Sequence, residues 1–359
     1  MRKRKISSLL SMTMLSSVMV LTACGGSNES TSESSAADGG DKALKVAMVY
    51  SGNLGDQSYN DSANSGAKKA ADDFGVEIKT LEGTTPEVWE SNLLAAADAG
   101  YDLVITTSSN FEEYLKEIAP QYPDVKFGII DTVVEGDNVQ SISYAQNEGS
   151  FLAGVAAATF TKSQNVEGIN EESTIGFVGG MDIPVIQDFL IGYEQGAKYV
   201  DPNIKVLTSF AGSWNDPLKG KELTLAQYEQ GADIVFNVAS GTGPGILEAA
   251  AEAGKYAIGV DLNQDNDQPG SILTSMMKRV DTAVYTLIED VVNDEFEGNT
   301  TLKLGLDNGG VGLTDFAVIK EHLGDAFPQE VIDAANAAAE KIASGEIKVE
   351  NAPGFGTAE

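Results

Sequence analysis

The sequence predicts an α/β protein built from two doubly wound, parallel-sheet lobes with a ligand cleft between them. Two observations predict this class. Short apolar runs rich in β-branched residues alternate regularly with helical segments, and a second set of such units follows residue 148. Regular alternation of strand and helix is typical of a parallel sheet with helices on both faces. The carboxyl-end loops of two such sheets would face each other across a cleft, a common place for a ligand site.

The first set opens with the run K-V-A-M-V-Y, from Lys45 to Tyr50, which has the apolar character of a buried strand. The loop that starts at Ser108 is predicted to cap a helix that ends at Ala119. The other elements predicted for the first set are helices 61–74 and 86–99 and strands 76–81, 103–107, 126–130 and 139–144. The second set is predicted to contain the small-residue helix after Glu148, strands 174–178, 205–210, 233–238, 256–260 and 271–275, helix 279–296, strand 301–306 and terminal helix 328–343.

The stretch 174–200 shows the strand–loop–helix unit most clearly. A short apolar run ends at Gly179 and Gly180, which allow a sharp turn of the backbone. Asp182 is predicted to cap the following helix, with Pro184 in its first turn. The apolar side chains of this helix recur at intervals of three and four, as on a helix that packs against a sheet: Ile186, Phe189, Leu190, Tyr193, Ala197 and Val200.

Residues 1–23 have the pattern of a bacterial lipoprotein signal peptide. Four basic residues precede an uncharged stretch over 6–22, which at 17 residues is short for a membrane span. The segment ends in Leu-Thr-Ala-Cys24, which resembles a lipobox, so we expect cleavage before Cys24 and lipid on its thiol, with an uncleaved anchor as the alternative. Residues 24–42 are rich in Ser, Gly, Glu and Ala and are predicted to form a flexible tether.

Composition and charge exclude several classes of function. The chain has 23 basic and 54 acidic residues, and loss of the four basic residues of the leader leaves a net charge near −35. Such a field repels nucleic acids and phosphate-rich ligands but not neutral small molecules. Cys24 is the only cysteine, so the body has no disulfide, no cysteine-based zinc site and no thiol nucleophile.

We find no catalytic or metal-binding pattern. The sequence contains neither G-x-S-x-G nor H-E-x-x-H, and its single histidine, His322, lies in a polar stretch that we expect at the surface. The segment from Asp261 to Asp265 superficially resembles a calcium loop. It has Asn266 where an EF-hand has glycine and Ile272 where an EF-hand has glutamate. We therefore predict no metal, no cofactor and no enzymatic activity.

Two loop aromatics point to a ligand with a planar ring. Tyr59 follows the first strand of the first set, and Trp214 follows strand 205–210 of the second set. One aromatic from each lobe at the carboxyl ends of strands suggests a stacking pair across the cleft, worth roughly 1–3 kcal/mol per face. Packing within a lobe is the alternative for each.

Polar candidates follow other strands. Carboxylates at strand ends, namely Asp56, Asp131 and Asp261, could accept bonds from the vicinal diol of a sugar, whereas helix capping or turn formation is the alternative for each. Lys278 could donate to ring or sugar oxygens or be solvated. The G-T-G-P-G loop over 241–245 could offer backbone N–H groups to a hydroxyl or be a plain tight turn.

Six ordered motifs together resemble the basic-membrane-protein family of bacterial lipoproteins, the substrate-binding proteins of nucleoside ABC importers. The motifs are G-D-Q-S-Y-N, N-E-G-S-F-L-A-G, I-G-F-V-G-G-M-D-I-P, W-N-D-P, G-K-Y-A-I-G-V-D and T-S-M-M-K-R-V-D, and the resemblance covers residues 43–350. It implies the type I periplasmic-binding-protein fold, with an N-terminal lobe of residues 43–145 plus 280–310 and a C-terminal lobe of residues 146–279 plus 311–359.

The resemblance also implies roles for individual residues. Asp56 and Asn60 would bind a nucleobase, with Tyr59 and Trp214 stacked on it at positions where the family usually has Phe. Asp261 would hold the ribose hydroxyls. Lys278 and the loop of Gly241 and Gly243 would lie near these hydroxyls, and Asp131 and Met181 are weaker assignments to the same site.

Taken together, the sequence predicts a lipid-anchored, extracytoplasmic capture protein for nucleosides, with purine nucleosides favoured, that delivers its ligand to the permease of an ABC importer. We expect a monomer. The alternatives are a binding protein for another ringed ligand, such as riboflavin, or for a sugar-type signal, and a surface or sensor lipoprotein without a transport partner.

Overall fold

The computed structural model describes residues 43–163, 165–353 and 355. The predicted signal peptide 1–23, the tether 24–42 and Cys24 lie outside the described residues. In the described part of the chain, no helix is both long enough and apolar enough to cross a membrane.

Two sheets, each flanked by helices, form the body and confirm the predicted α/β class. The strands are β1 (Lys45–Tyr50), β2 (Glu77–Glu82), β3 (Leu103–Thr106), β4 (Lys126–Ile130), β5 (Val139–Tyr144), β6 (Thr174–Gly179), β7 (Lys205–Phe210), β8 (Ile234–Val238), β9 (Tyr256–Asp261), β10 (Ile272–Lys278), β11 (Thr300–Leu304) and β12 (Val311–Leu313). The α-helices are α1 (Tyr59–Phe74), α2 (Pro86–Asp98), α3 (Glu112–Ile118), α4 (Gln146–Phe160), α5 (Pro184–Val200), α6 (Pro217–Glu229), α7 (Gly243–Ala253), α8 (Val280–Val292), α9 (Ala317–Leu323) and α10 (Glu330–Ala343).

The strand order of the first sheet is β11-β5-β4-β3-β1-β2, and that of the second is β12-β10-β9-β8-β6-β7. All pairs in the first sheet are parallel, and in the second only β12 runs antiparallel to its neighbour, β10. The central strands β1, β3, β6, β8 and β9 are almost completely buried, as expected of a parallel sheet covered on both faces.

The chain crosses between the two sheets three times. It leaves the first sheet after β5, returns after β10 and leaves again after β11. Helix α8 packs on α1 beside the first sheet, while α10 packs on α4, which also contacts α5 and β10. We keep the lobe boundaries 43–145 plus 280–310 and 146–279 plus 311–359 as a proposal.

Helix α5 is fixed in place by backbone contact with α4. A Cβ atom on Gly192 would overlap the carbonyl oxygen of Asn147, and one on Gly196 would overlap that of Phe151. These glycines let the two helices approach until their backbones touch. A neighbouring, apolar face of α5 packs into the main core, so its first turns have a defined position at the edge of the second sheet.

The structure corrects some predicted elements. Asp182 does not cap α5, because Ile183 occupies the N-cap position and the Asp182 carboxylate accepts from the side chain of Gln187 at 2.6 Å. Helix α8 ends at Val292, four residues before the predicted end. Strand β10 extends beyond residue 275, which places Lys278 on the strand itself. The short strand β12 and helix α9 were not predicted.

Candidate ligand-binding cleft

A cleft with an empty volume of ≈ 730 Å³, measured to its opening into solvent, lies where the carboxyl-end loops of the two sheets meet. Residues of both sheets and their loops line it, from the first Ser51, Gly52, Tyr59, Asn60, Ser108, Ser109, Asn110 and Asp131, and from the second Ile183, Val185, Ile186, Phe189, Trp214, Asn215, Val238, Ala239, Ser240, Val260, Asp261 and Lys278. Six of the ten predicted ligand-binding residues therefore share one cleft: Tyr59, Asn60, Asp131, Trp214, Asp261 and Lys278.

Aromatic and aliphatic side chains form much of the wall. Tyr59 is the first residue of α1, and Trp214 lies in the loop between β7 and α6. The indole lies so close to the backbone of Gly180 that a Cβ atom there would overlap the ring. Gly180, directly after β6, therefore leaves space for the ring of Trp214. Phe189, in the second turn of α5, adds a third ring.

A buried ion pair joins the two sheets inside the cleft. Lys278, at the end of β10, places its Nζ atom 2.6 Å from Oδ1 of Asp131, which follows β4. The two residues are only 1% and 6% exposed. The ammonium group also lies 5.4 Å from the ring centroid of Tyr59, 4.8 Å from that of Tyr144 and 5.4 Å from that of Phe189. Three ring faces and one carboxylate thus surround this cation, so Lys278 is not solvated.

Asp261, the last residue of β9, brings a second carboxylate into the cleft. Its Oδ2 accepts a hydrogen bond from the hydroxyl of Ser58, which lies on the side of the first sheet. Burial raises the pKa of Asp261 to about 7, and the nearby Lys278 and the bond from Ser58 oppose this shift. At neutral pH the side chain is therefore close to its titration midpoint.

Asn60 and Tyr59 present polar atoms next to these carboxylates. The Oδ1 atom of Asn60 is buried without a hydrogen-bond partner among the described residues, which makes it a free acceptor in the cleft lining. Burial and the neighbouring carboxylate of Asp131 raise the pKa of Tyr59 well above its usual value. The phenol therefore remains protonated and can donate.

The other four predicted residues lie outside the lining. Asp56 accepts from the backbone N–H groups of Ser58, Asn60 and Asp61 and so fixes the first turn of α1. Gly243 contacts Asn237, since a Cβ atom on this glycine would overlap that side chain. Gly241 lies beside Asp56, Trp214 and Asn215, and Met181 is half-buried. Ligand binding by Asp56, Met181, Gly241 and Gly243 remains a prediction.

Sequence reasoning missed part of the lining. The missed positions lie at or just after the ends of β1, β3, β8 and β9, in the loop before α6 or in the first turns of α5: Ser51, Gly52, Ser108, Ser109, Asn110, Val238, Ala239, Ser240, Val260, Asn215, Ile183, Val185, Ile186 and Phe189. The available signal was position at the carboxyl end of a strand. For α5, the apolar stripe predicted core packing and gave no sign that its first turns also face the cleft.

The described residues contain no cluster of His, Cys, Asp and Glu that could hold a metal ion. In the calcium-like segment, the carboxylate of Asp265 accepts from the hydroxyl of Ser275 at 2.6 Å, and the Asn263 side chain accepts from the backbone N–H of Asp265. Its polar groups therefore bind one another and the neighbouring strand. His322 is exposed, as predicted.

Two sheets joined by three crossovers, with a cleft between their carboxyl-end loops, have the architecture of a two-lobed solute-binding protein. The model of the family "ABC transporter substrate-binding protein PnrA-like" matches residues 43–352, and the chain belongs to this family, Bmp. The prediction of a basic-membrane-protein relative with the type I periplasmic-binding-protein fold is thereby confirmed.

Individual relatives agree with this assignment. The chain is 33% identical to the CD4+ T-cell-stimulating antigen of Listeria innocua, over 98% of this chain and 100% of the relative. It is 33% identical to basic membrane protein A of Borreliella burgdorferi, over 76% of this chain and 80% of the relative. A solved ABC transporter solute-binding protein from Aeropyrum pernix superposes with a TM-score of 0.80 at 31% identity, covering 85% of this chain and 92% of that one.

The raised pKa of Asp261 predicts a pH-dependent stability difference. Because the folded state binds the proton more tightly than the unfolded state, Asp261 lowers the free energy of unfolding as pH rises from about 4 to about 7. Asp261→Asn should therefore gain stability relative to the wild type across this window, by ~2–4 kcal/mol, and no further above it. Thermal unfolding from about pH 4 to pH 8 measures the difference, with the exposed Asp182→Asn as control. A constant difference for Asp261→Asn would contradict the assignment.

Proposed function

We propose that this protein captures nucleosides outside the cytoplasm, with purine nucleosides favoured, and delivers them to the permease of an ABC importer. The observation that carries the proposal is the composition of the cleft. Aromatic rings from both sides, Tyr59 and Trp214, line the same space as the carboxylate of Asp261 and the free amide oxygen of Asn60. Rings suit a planar base, and a carboxylate suits the paired hydroxyls of a ribose.

Charge supports a nucleoside over a nucleotide. The whole chain has a formal net charge of −31, and two acidic side chains, Asp131 and the partly ionised Asp261, line the cleft beside a lysine that is already paired. A phosphate group would be repelled by this field and would find no unpaired cation among the described lining residues. The uncharged hydroxyls and amides of a nucleoside carry no such penalty.

Calorimetric titration of the mature protein with a panel of nucleosides, nucleobases, riboflavin and simple sugars tests the ligand class. We expect purine nucleosides to bind and Asp261→Ala to weaken them by about 1.5–3 kcal/mol for each charge-assisted bond that is lost. Asp182→Ala, which removes an exposed carboxylate, is the matched control. Tight binding of riboflavin or a sugar without any nucleoside binding would favour the alternative ligands instead.

We also propose that Cys24 carries lipid and anchors the protein to the membrane. The support is the basic leader followed by Leu-Thr-Ala-Cys24. Growth with labelled palmitate should label the wild-type protein, whereas Cys24→Ser should abolish the label because the chain has no other cysteine. Cells should then process the leader of the wild type but not that of the variant. Label that persists in Cys24→Ser would exclude this attachment site.

A further inference from the structure

Among the described residues, three hydrogen bonds cross the cleft in addition to the pair of Lys278 and Asp131. The Gln264 side chain donates from Nε2 to the carbonyl oxygen of Gln57 at 2.9 Å. The hydroxyl of Ser240 donates to Oδ2 of Asp56 at 2.9 Å. The hydroxyl of Ser58 donates to Asp261. We call these three bonds the latch, since each joins a residue beside the first sheet to one beside the second.

Unfavourable backbone conformations coincide with these contacts. Among the described residues, seven non-glycine residues have positive φ, and four of them lie here: Gln57 at 53°, Asp131 at 74°, Ser240 at 50° and Asp261 at 65°. Each of the four cross-cleft contacts contains one such residue. Left-handed backbone is costly for residues with a Cβ atom, and such residues cluster where a site needs a particular geometry. The strain is therefore concentrated on the groups that meet across the cleft.

Gln264 is the latch residue with the most extensive support. It is 2% exposed and does not line the cleft. Its Oε1 atom accepts from the backbone N–H of Val260 at 2.9 Å, and its own N–H donates to Ser275 at 3.0 Å. With Oε1 already engaged on its own side, the Nε2 donor points toward Gln57. The calcium-like segment thus aims one amide at the opposite side.

We propose that Gln264 is a positioning residue that holds the cleft shut through Gln57 without contacting the ligand. Its amide bond stabilises the arrangement in which Tyr59 and Asp131 face Trp214 and Asp261. Loss of this bond would raise the population of open protein and speed ligand release, because only the closed arrangement brings both walls together. The proposal holds for any ligand that fits the cleft, whether or not it is a nucleoside.

Distances between spin labels on the two sides test the proposal without a ligand. The full chain with Cys24→Ser has no other cysteine, so Val133→Cys and Leu218→Cys, at two exposed positions, supply one label beside each sheet. The parent protein should give the short distance of this structure and a longer one in a measurable ratio. Gln264→Ala and the volume-conserving Gln264→Leu should each raise the ratio of long to short distances by about two- to tenfold, as expected for one hydrogen bond.

Two further variants keep the test decisive. Gln227 is also a 2% exposed glutamine, but its amide bonds to Phe177 and Ser209 within the second sheet's own layers. Gln227→Ala should lower the melting temperature and leave the distances unchanged. Ser58→Ala removes another latch bond without altering the Gln264 contacts and should also increase the long distance.

Four results would overturn the proposal: unchanged distances in both Gln264 variants, a change in Gln264→Ala but not in Gln264→Leu, an equal change in Gln227→Ala, or a parent protein that shows only the long distance. If the Gln264 variants do not fold, Ser58→Ala decides for or against the latch, and unchanged distances in that variant would overturn it. Failure of nucleoside binding would leave these measurements unaffected.

Discussion

The buried ion pair between Lys278 and Asp131 constrains the whole cleft. Each charge comes from a different sheet, and burial makes either one costly unless the other stays within reach. A movement that separated the two charges would have to hydrate both groups. The ring faces of Tyr59 and Phe189 lie beside the ammonium group, so such a movement would also open part of the cleft wall. Closure of the cleft, the pairing of its buried charges and the shape of its binding space therefore depend on the same contacts.

Many polar groups of the cleft already form hydrogen bonds or ion pairs with other residues of the protein. Asp131 is paired with Lys278, and Asp261 accepts from Ser58. Asp56 accepts from a backbone N–H group of α1 and from the hydroxyl of Ser240. A ligand must use the acceptor capacity that remains on these carboxylates, together with the free amide oxygen of Asn60. Such an arrangement favours neutral molecules that donate several hydrogen bonds, and it disfavours anions.

The sequence predicted the sheets and the position of six residues in the cleft lining because both follow local rules. Short β-branched runs give buried parallel strands, and residues after such strands meet at one edge, which is how Tyr59, Trp214 and Asp261 were found. Partner choice across the cleft could not be predicted, since nothing local says that Lys278 pairs with Asp131 or that Gln264 reaches Gln57. Asp182 was predicted to cap α5 because Asp is a preferred N-cap residue. The backbone instead places Ile183 at the N-cap position.

A crystal structure of the protein with bound inosine tests the central claim most directly, since it shows the ligand and its contacts together. We predict the base between Tyr59 and Trp214, within reach of Asn60, and the ribose hydroxyls on Asp261, with the Lys278–Asp131 pair intact. Inosine bound elsewhere, or in the cleft without contact to either ring, would contradict it.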